Sequence, residues 1–137
     1  MRGAYVLVVS VDELACIKVG ALGRVPFRRG LYAYVGSGQV GLQKRVARHL
    51  RKRKKRFWHI DYLLGSGAAN VVRVFWKEGE KSEECHVAGV LGGRGVPVAA
   101  FGCSDCRCKS HLFRIRGCGF LGEFMRELDL KRIRSVR

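Results

Sequence analysis

Apolar side chains crowd four short runs: Tyr5–Val11, Leu31–Val35, Val71–Trp76 and Val96–Phe101, with Val, Phe and Tyr holding most of the positions. β-branched and aromatic residues suit a pleated, buried surface, so each run predicts a strand. Gly20, Gly23 and Pro26 punctuate the segment from Gly20 to Gly30, which reads as a connection inside a hairpin-like pair. From Leu42 to about Lys55 the pattern changes: Leu42, Val46 and Leu50 recur every four residues among polar ones, predicting a helix with a narrow apolar stripe suited to packing on a sheet. A second helix is expected from Glu83 to about Leu91, ended by Gly92 and Gly93. A third is expected from Phe120 to about Ile133, with Phe124, Leu128, Leu121 and Leu130 as its apolar face. The loop from Leu64 to Ala69 is too short to separate domains. The pattern predicts an α/β (α+β) fold, with a mixed or antiparallel sheet of about three to five strands flanked by helices.

A chain of 137 residues is long enough for one domain with a real core. The expected organisation is a single domain over 1–137, its core over about 3–113 and a C-terminal helix and basic tail over 119–137. No apolar run approaches the roughly 18 residues of a membrane span, and Asp12 and Glu13 cut short the one stretch resembling a leader. A cytoplasmic protein is the expectation. Charge sharpens the picture: the formal net charge is +16. From Leu42 to Arg56 nine basic residues (Lys44, Arg45, Arg48, Arg51, Lys52, Arg53, Lys54, Lys55, Arg56) occur without an acid, and Lys131, Arg132, Arg134 and Arg137 add a basic tail. A field of this kind attracts a polyanion, and Phe57 and Trp58 beside it are placed to stack on an exposed base. The competing reading is a solvated helix face in a heat-adapted protein, although such faces usually interleave acids with their bases. Lys44, Arg48, Arg51, Lys52, Lys54, Lys55 and Trp58 are therefore the candidate nucleic-acid contacts.

The strand ending at Val35 runs into the glycine turn Gly36-Ser37, and the helix that follows carries Arg45 and His49 on one face. Tyr34, Arg45 and His49 together offer a phenol, a guanidinium and an imidazole, groups that suit phosphoryl chemistry because its transition state needs a proton acceptor and a fixed cation. Gly3-Ala4-Tyr5 opens the first strand. The order Gly-x-Tyr, Tyr-Val-Gly, Arg, His resembles that of the GIY-YIG nuclease superfamily. Trp58-His59-Ile60-Asp61-Tyr62-Leu63 and Ser104–Phe113 resemble one archaeal branch of it, small proteins also met fused to endonuclease III. These segments cover about residues 3 to 113.

The resemblance implies that Tyr5 and Tyr34 line the active site, one of them relaying or accepting the proton of the attacking water, while Arg45 holds the scissile phosphate. A strand tyrosine is otherwise a core residue with its hydroxyl at the sheet edge. A free phenol near pKa 10 is a poor base, so cationic help is required. His49 and His59 match two histidines of the homing-endonuclease branch, with core packing an equal alternative for His59. Glu84 matches the family's carboxylate for Mg²⁺ or Mn²⁺, with Glu83 as its neighbour and rival. The family's late Asn has no clean counterpart, and Ser104 or Asp105 stands nearest. Cys103, Cys106, Cys108 and His111 offer a zinc set in kind, but their spacing fits two-knuckle geometry poorly. Structural or site-lining thiols are the favoured reading, zinc is not expected, and a disulfide stays open. Cys16, Cys85 and Cys118 read as ordinary buried thiols. The expected function is a metal-dependent endonuclease acting on DNA, with RNA open, in repair or processing. The alternative is a non-catalytic nucleic-acid-binding module that partners a repair enzyme. A basic ribosome-associated protein would explain the charge but not the Tyr, Arg and Glu set.

Overall fold

β1 (Gly3–Val11) is buried along nearly its whole length because both of its faces are covered, which explains its unbroken apolar run. In the computed structural model, which describes residues 1–103 and 106–134, β1 is flanked by β4 (Gly30–Gly38) on one side and β5 (Ala69–Glu78) on the other. Between them in the chain, β2 (Ala15–Lys18) and β3 (Arg24–Phe27) form a separate two-stranded ribbon around a 3₁₀ turn at Gly20–Leu22, so the stretch expected to be only a connection over 20–30 carries a strand of its own. The main sheet is completed by β6 (Gly95–Pro97), β7 (Leu112–Ile115) and β8 (Arg126–Leu128), in the order β6-β7-β4-β1-β5-β8. Every pairing is antiparallel, so the sheet has six strands rather than three to five and is not mixed.

The two faces of β1 divide the core. Tyr5, Leu7, Val9 and Val11 join Leu42, Val46 and Ala47 of α1 (Leu42–Leu50) and Ile60 and Leu63 of α2 (His59–Leu64). Ala4, Val6 and Val8 join Val87, Ala88 and Leu91 of α3 (Ser82–Gly92) on the other face. This alternation is the two-residue period of a strand made visible. Among the described residues, no helix is long and apolar enough to cross a membrane.

Three expectations change. The helix expected at 42–55 stops at Leu50, where Arg51 turns extended, and Lys54 Nζ donates to the carbonyls of His49 (2.7 Å) and Arg51 (2.8 Å). A lysine at a helix C-terminus satisfies orphan carbonyls, so Lys52, Lys54 and Lys55 lie in a loop beyond α1. The run at 96–101 yields only the short β6, because Ala100 takes a left-handed φ of 61°. The single C-terminal helix is replaced by a 3₁₀ turn (Gly119–Glu123), β8 and α4 (Leu130–Arg134). The cause is a division of labour: Phe120, Leu121, Phe124 and Met125 pack on the α3 side, whereas Leu128, Leu130 and Ile133 pack on the α1 side. One helix face cannot serve both sides of a sheet. Ser104, Asp105 and Arg137 lie outside the described residues.

Candidate functional site

Tyr5 pairs across the sheet with Gly36, and a Cβ at position 36 would overlap the Tyr5 ring and hydroxyl. The glycine lets a phenol lie flat where β4 turns towards α1. At this end of the sheet a cavity of about 510 Å³ opens. Tyr5, Tyr34, Arg45, Trp58, His59 and Glu84 line it, together with Ser37, Gln39, Lys81 and Gly102. Six of the sequence-selected residues thus converge from β1, β4, α1, α3 and the start of α2 and its approach. The fold brings phenol, guanidinium, imidazole and carboxylate to one space.

His49 lies just behind the cavity wall. Its ring is 2 % exposed, and Nε2 meets the Tyr5 hydroxyl at 2.6 Å. Burial, with the surrounding cations adding to it against the pull of Asp61, drives the imidazole down to about 3. His49 is therefore neutral at any physiological pH. Burial also raises both phenols, with Arg45 opposing. At neutral pH Tyr5 and Tyr34 keep their phenolic protons. Neither rests as a phenolate, and His49 orients Tyr5 rather than holding its proton. Nδ1 of His49 is buried and has no hydrogen-bond partner among the described residues. His59 contributes its Nδ1 as acceptor to the Gly102 N–H (2.8 Å) and packs edge-on against Phe101, so packing and cavity lining coexist in one residue.

Two arginines share one tryptophan and do different work. Arg45 donates to the Ser37 carbonyl and stacks 5.1 Å from the Trp58 ring centre, which fixes its guanidinium at the cavity edge. Arg48 lies 4.5 Å from the same ring but makes two hydrogen bonds of 3.0 Å to Asp61. Arg48 also donates to the Lys55 carbonyl at 2.8 Å, so it braces the fold instead of standing free for phosphate. Asp61 accepts from the Phe57 and Trp58 N–H groups as well (2.9 and 3.0 Å). Burial alone would raise its carboxyl, but these four bonds prevail and hold it below the usual range. Asp61 was missed as a site-building residue. Its signal was present: no other acid occurs between Glu13 and Glu78. Lys44, Arg51, Lys52 and Lys55 remain on the exposed surface beside this shelf, and Lys54 is committed to α1.

Glu84 and Glu83 separate cleanly. Glu83 pairs with Lys77 (3.1 Å) and approaches His86, away from the cavity, and Lys77 holds its carboxyl low. Glu84 is the one carboxylate among the described cavity residues. Its Oε1 lies 3.0 Å from His111 Nδ1, at ion-pair distance but without hydrogen-bond alignment. His111 Nε2 in turn meets Cys106 Sγ at 3.3 Å. Cys85, Cys106, Cys108 and His111 bring one ligand atom each within 4.8 Å of one another, a group able to bind a metal ion. Cys85 is thus no ordinary buried thiol: it is exposed and belongs to the cluster. Cys103 stays outside, its thiol donating to the Phe101 carbonyl (3.4 Å). All described cysteines are free thiols. Burial and the neighbouring sulfurs push Cys103 and Cys108 up to about 12.

Fold and site together define a small antiparallel α+β protein with a polar, cation-edged cavity at one end of its sheet and a thiol-rich cluster adjoining it. The pattern of one family, described as "Domain of unknown function DUF123", matches residues 4–128, and the chain belongs to that family. No curated protein and no solved structure matches it.

Proposed function

We propose that this protein is a metal-dependent endonuclease of GIY-YIG type that hydrolyses phosphodiester bonds of DNA inside the cell, in repair or processing. One observation carries the reading: Tyr5, Tyr34, Arg45 and Glu84, remote in sequence, line one cavity of about 510 Å³. Glu84, with the oxygens of Ser37 and Gln39 lining the same cavity, is a hard donor set that fits Mg²⁺ or Mn²⁺, cations content with few protein ligands. Such an ion supplies positive charge against the phosphate and acidifies water. The chain does the rest. Arg45, held by Ser37 and Trp58, offers a fork of donors to a phosphate oxygen. Tyr5, fixed by His49, and Tyr34 donate from the floor of the cavity and exchange protons with an attacking water once the local charge lowers their pKa. Lys44, Arg51, Lys52 and Lys55, with Phe57 and Trp58, form the surface that receives the backbone and an exposed base.

The test is cleavage by purified protein across flaps, junctions, damaged duplexes, single strands and RNA, with Mg²⁺, Mn²⁺ and EDTA. Metal-dependent cutting abolished by Glu84→Gln and by Arg45→Ala, with binding retained, is the expected result. Tight, salt-sensitive binding without cutting on any substrate would instead establish the second reading, a non-catalytic nucleic-acid-binding module serving a repair enzyme, which the exposed basic loop and 37 % exposed Trp58 favour.

A further inference from the structure

We infer that Cys85, Cys106, Cys108 and His111 form a closed structural Zn²⁺ site that pins the start of α3 to the loop between β6 and β7. The donor set is the first argument. Three sulfurs and one imidazole whose ligand atoms all lie within 4.8 Å of one another are the complement of a tetrahedral Cys₃His centre. The ligands come from places that need joining. Cys85 stands in the first turn of α3, whereas Cys106, Cys108 and His111 lie on the long connection from β6 to β7, whose described residues form neither helix nor strand. Long connections without structure of their own are uncommon inside a small domain. Backbone bonds from Ala100 N–H to Lys109 and from His111 N–H to Phe101 close the loop upon itself, and bonds from Val35 N–H to His111 and from Gly102 N–H to His59 hold it to β4 and α2; the metal site adds a tie to α3.

The histidine supplies an independent argument. His111 is 2 % exposed, and its Nε2 faces the sulfurs, 3.3 Å from Cys106 Sγ. Its Nδ1 faces the Glu84 carboxylate at 3.0 Å. A zinc-bound imidazole almost always turns its other nitrogen to a carboxylate or carbonyl, which fixes its tautomer and strengthens it as a ligand. Here the carboxylate precedes a ligand, Cys85, in the chain. Binding releases three thiol protons, leaving three thiolates and a neutral imidazole on Zn²⁺, and the net negative charge falls beside Arg107 and Lys109. Glu84 then follows from the site as well as from the cavity: zinc sets His111, and His111 sets the carboxylate that lines the cavity. That last consequence alone rests on the nuclease reading.

Full-length protein purified without chelator should carry about one zinc per chain by native mass spectrometry and elemental analysis. After chelation, titration with Co²⁺ should give thiolate-to-cobalt charge-transfer absorption and the intense visible bands of tetrahedral coordination. Cys85→Ser and Cys108→Ser should each weaken Co²⁺ binding by on the order of 100-fold or more, and Glu84→Gln by about 10-fold. Cys103→Ser should bind as the parent does. Absence of stoichiometric zinc together with an octahedral cobalt spectrum would overturn the assignment. So would a native disulfide within the set, or a Cys103→Ser variant as impaired as Cys85→Ser. Should the serine variants fail to fold, the wild-type metal content and cobalt spectrum decide by themselves. None of these readouts uses a nucleic acid, so a lost zinc site and a lost nuclease are separable failures.

Discussion

Two polar neighbourhoods adjoin at Glu84 and obey opposite chemistry. The cavity offers oxygen and nitrogen donors spread around an open space of about 510 Å³, with basic side chains at its rim. The cysteine cluster draws three sulfurs and an imidazole to within 4.8 Å, a full set of four ligand atoms. Open walls with few hard donors suit a cation that keeps its waters and meets phosphate, whereas a full set of soft donors closes around an ion and makes structure. The contrast separates a place where chemistry is proposed from a place proposed to hold the fold.

Breaking that contrast begins with one substitution on each side. Glu84→Gln preserves shape and removes charge, so cleavage should fall by about 10³-fold or more in a single-turnover assay while DNA affinity changes little. Cys108→Ser should instead lower the thermal midpoint, by about 10 °C, and the remaining folded molecules should cut far better than the Glu84→Gln variant. Parallel losses in both would mean that the two neighbourhoods are one unit.

The paired arginines sharpen the same point within the cavity wall. Arg48→Ala leaves the buried Asp61 without its bidentate partner and should destabilise the protein by about 3–5 kcal/mol in urea unfolding. Arg45→Ala should leave stability nearly unchanged while slowing cleavage by about 10²–10³-fold. A stable Arg48→Ala variant with weakened DNA binding would restore Arg48 to the phosphate contacts.

Gly36→Ala asks whether the cavity floor tolerates pressure. The added Cβ must displace the Tyr5 ring, and about 1–3 kcal/mol of destabilisation is expected by the same measurement. Tyr5→Phe removes the hydroxyl, one of the three Tyr5 atoms in conflict, and should relieve part of that loss.

A further test concerns pH. His49 is held near 3 in the folded protein against 6.5 in the open chain, so the unfolded state binds the extra proton first. Stability from this group is complete above pH 6.5 and is lost as pH falls towards 3, by at most about 1.4 kcal/mol per pH unit. His49→Gln should flatten the stability profile across that window. Identical profiles would show that the ring is hydrated rather than buried.

Local patterning determined much of this protein. The alternating and continuous apolar runs announced β1, β4 and β5, the four-residue period announced α1, and the paired glycines ended α3, because burial demand and backbone preference act over a few residues. The Tyr5, Tyr34, Arg45 and Glu84 set came from the family resemblance rather than from local patterning, and the structure places all four on one cavity. What remained hidden depended on partners remote in the chain. Whether Phe120, Phe124, Leu128 and Ile133 shared a helix or served two faces was decided by the sheet they pack against. Arg48 was indistinguishable from its basic neighbours until the fold placed Asp61 opposite it. Spacing favoured Cys103 as the partner of Cys106 and Cys108, and only the approach of α3 to the connection that carries them put Cys85 in its place. Side-chain chemistry is written in the sequence; the choice among equal candidates belongs to distance, which only the packed sheet and helices set.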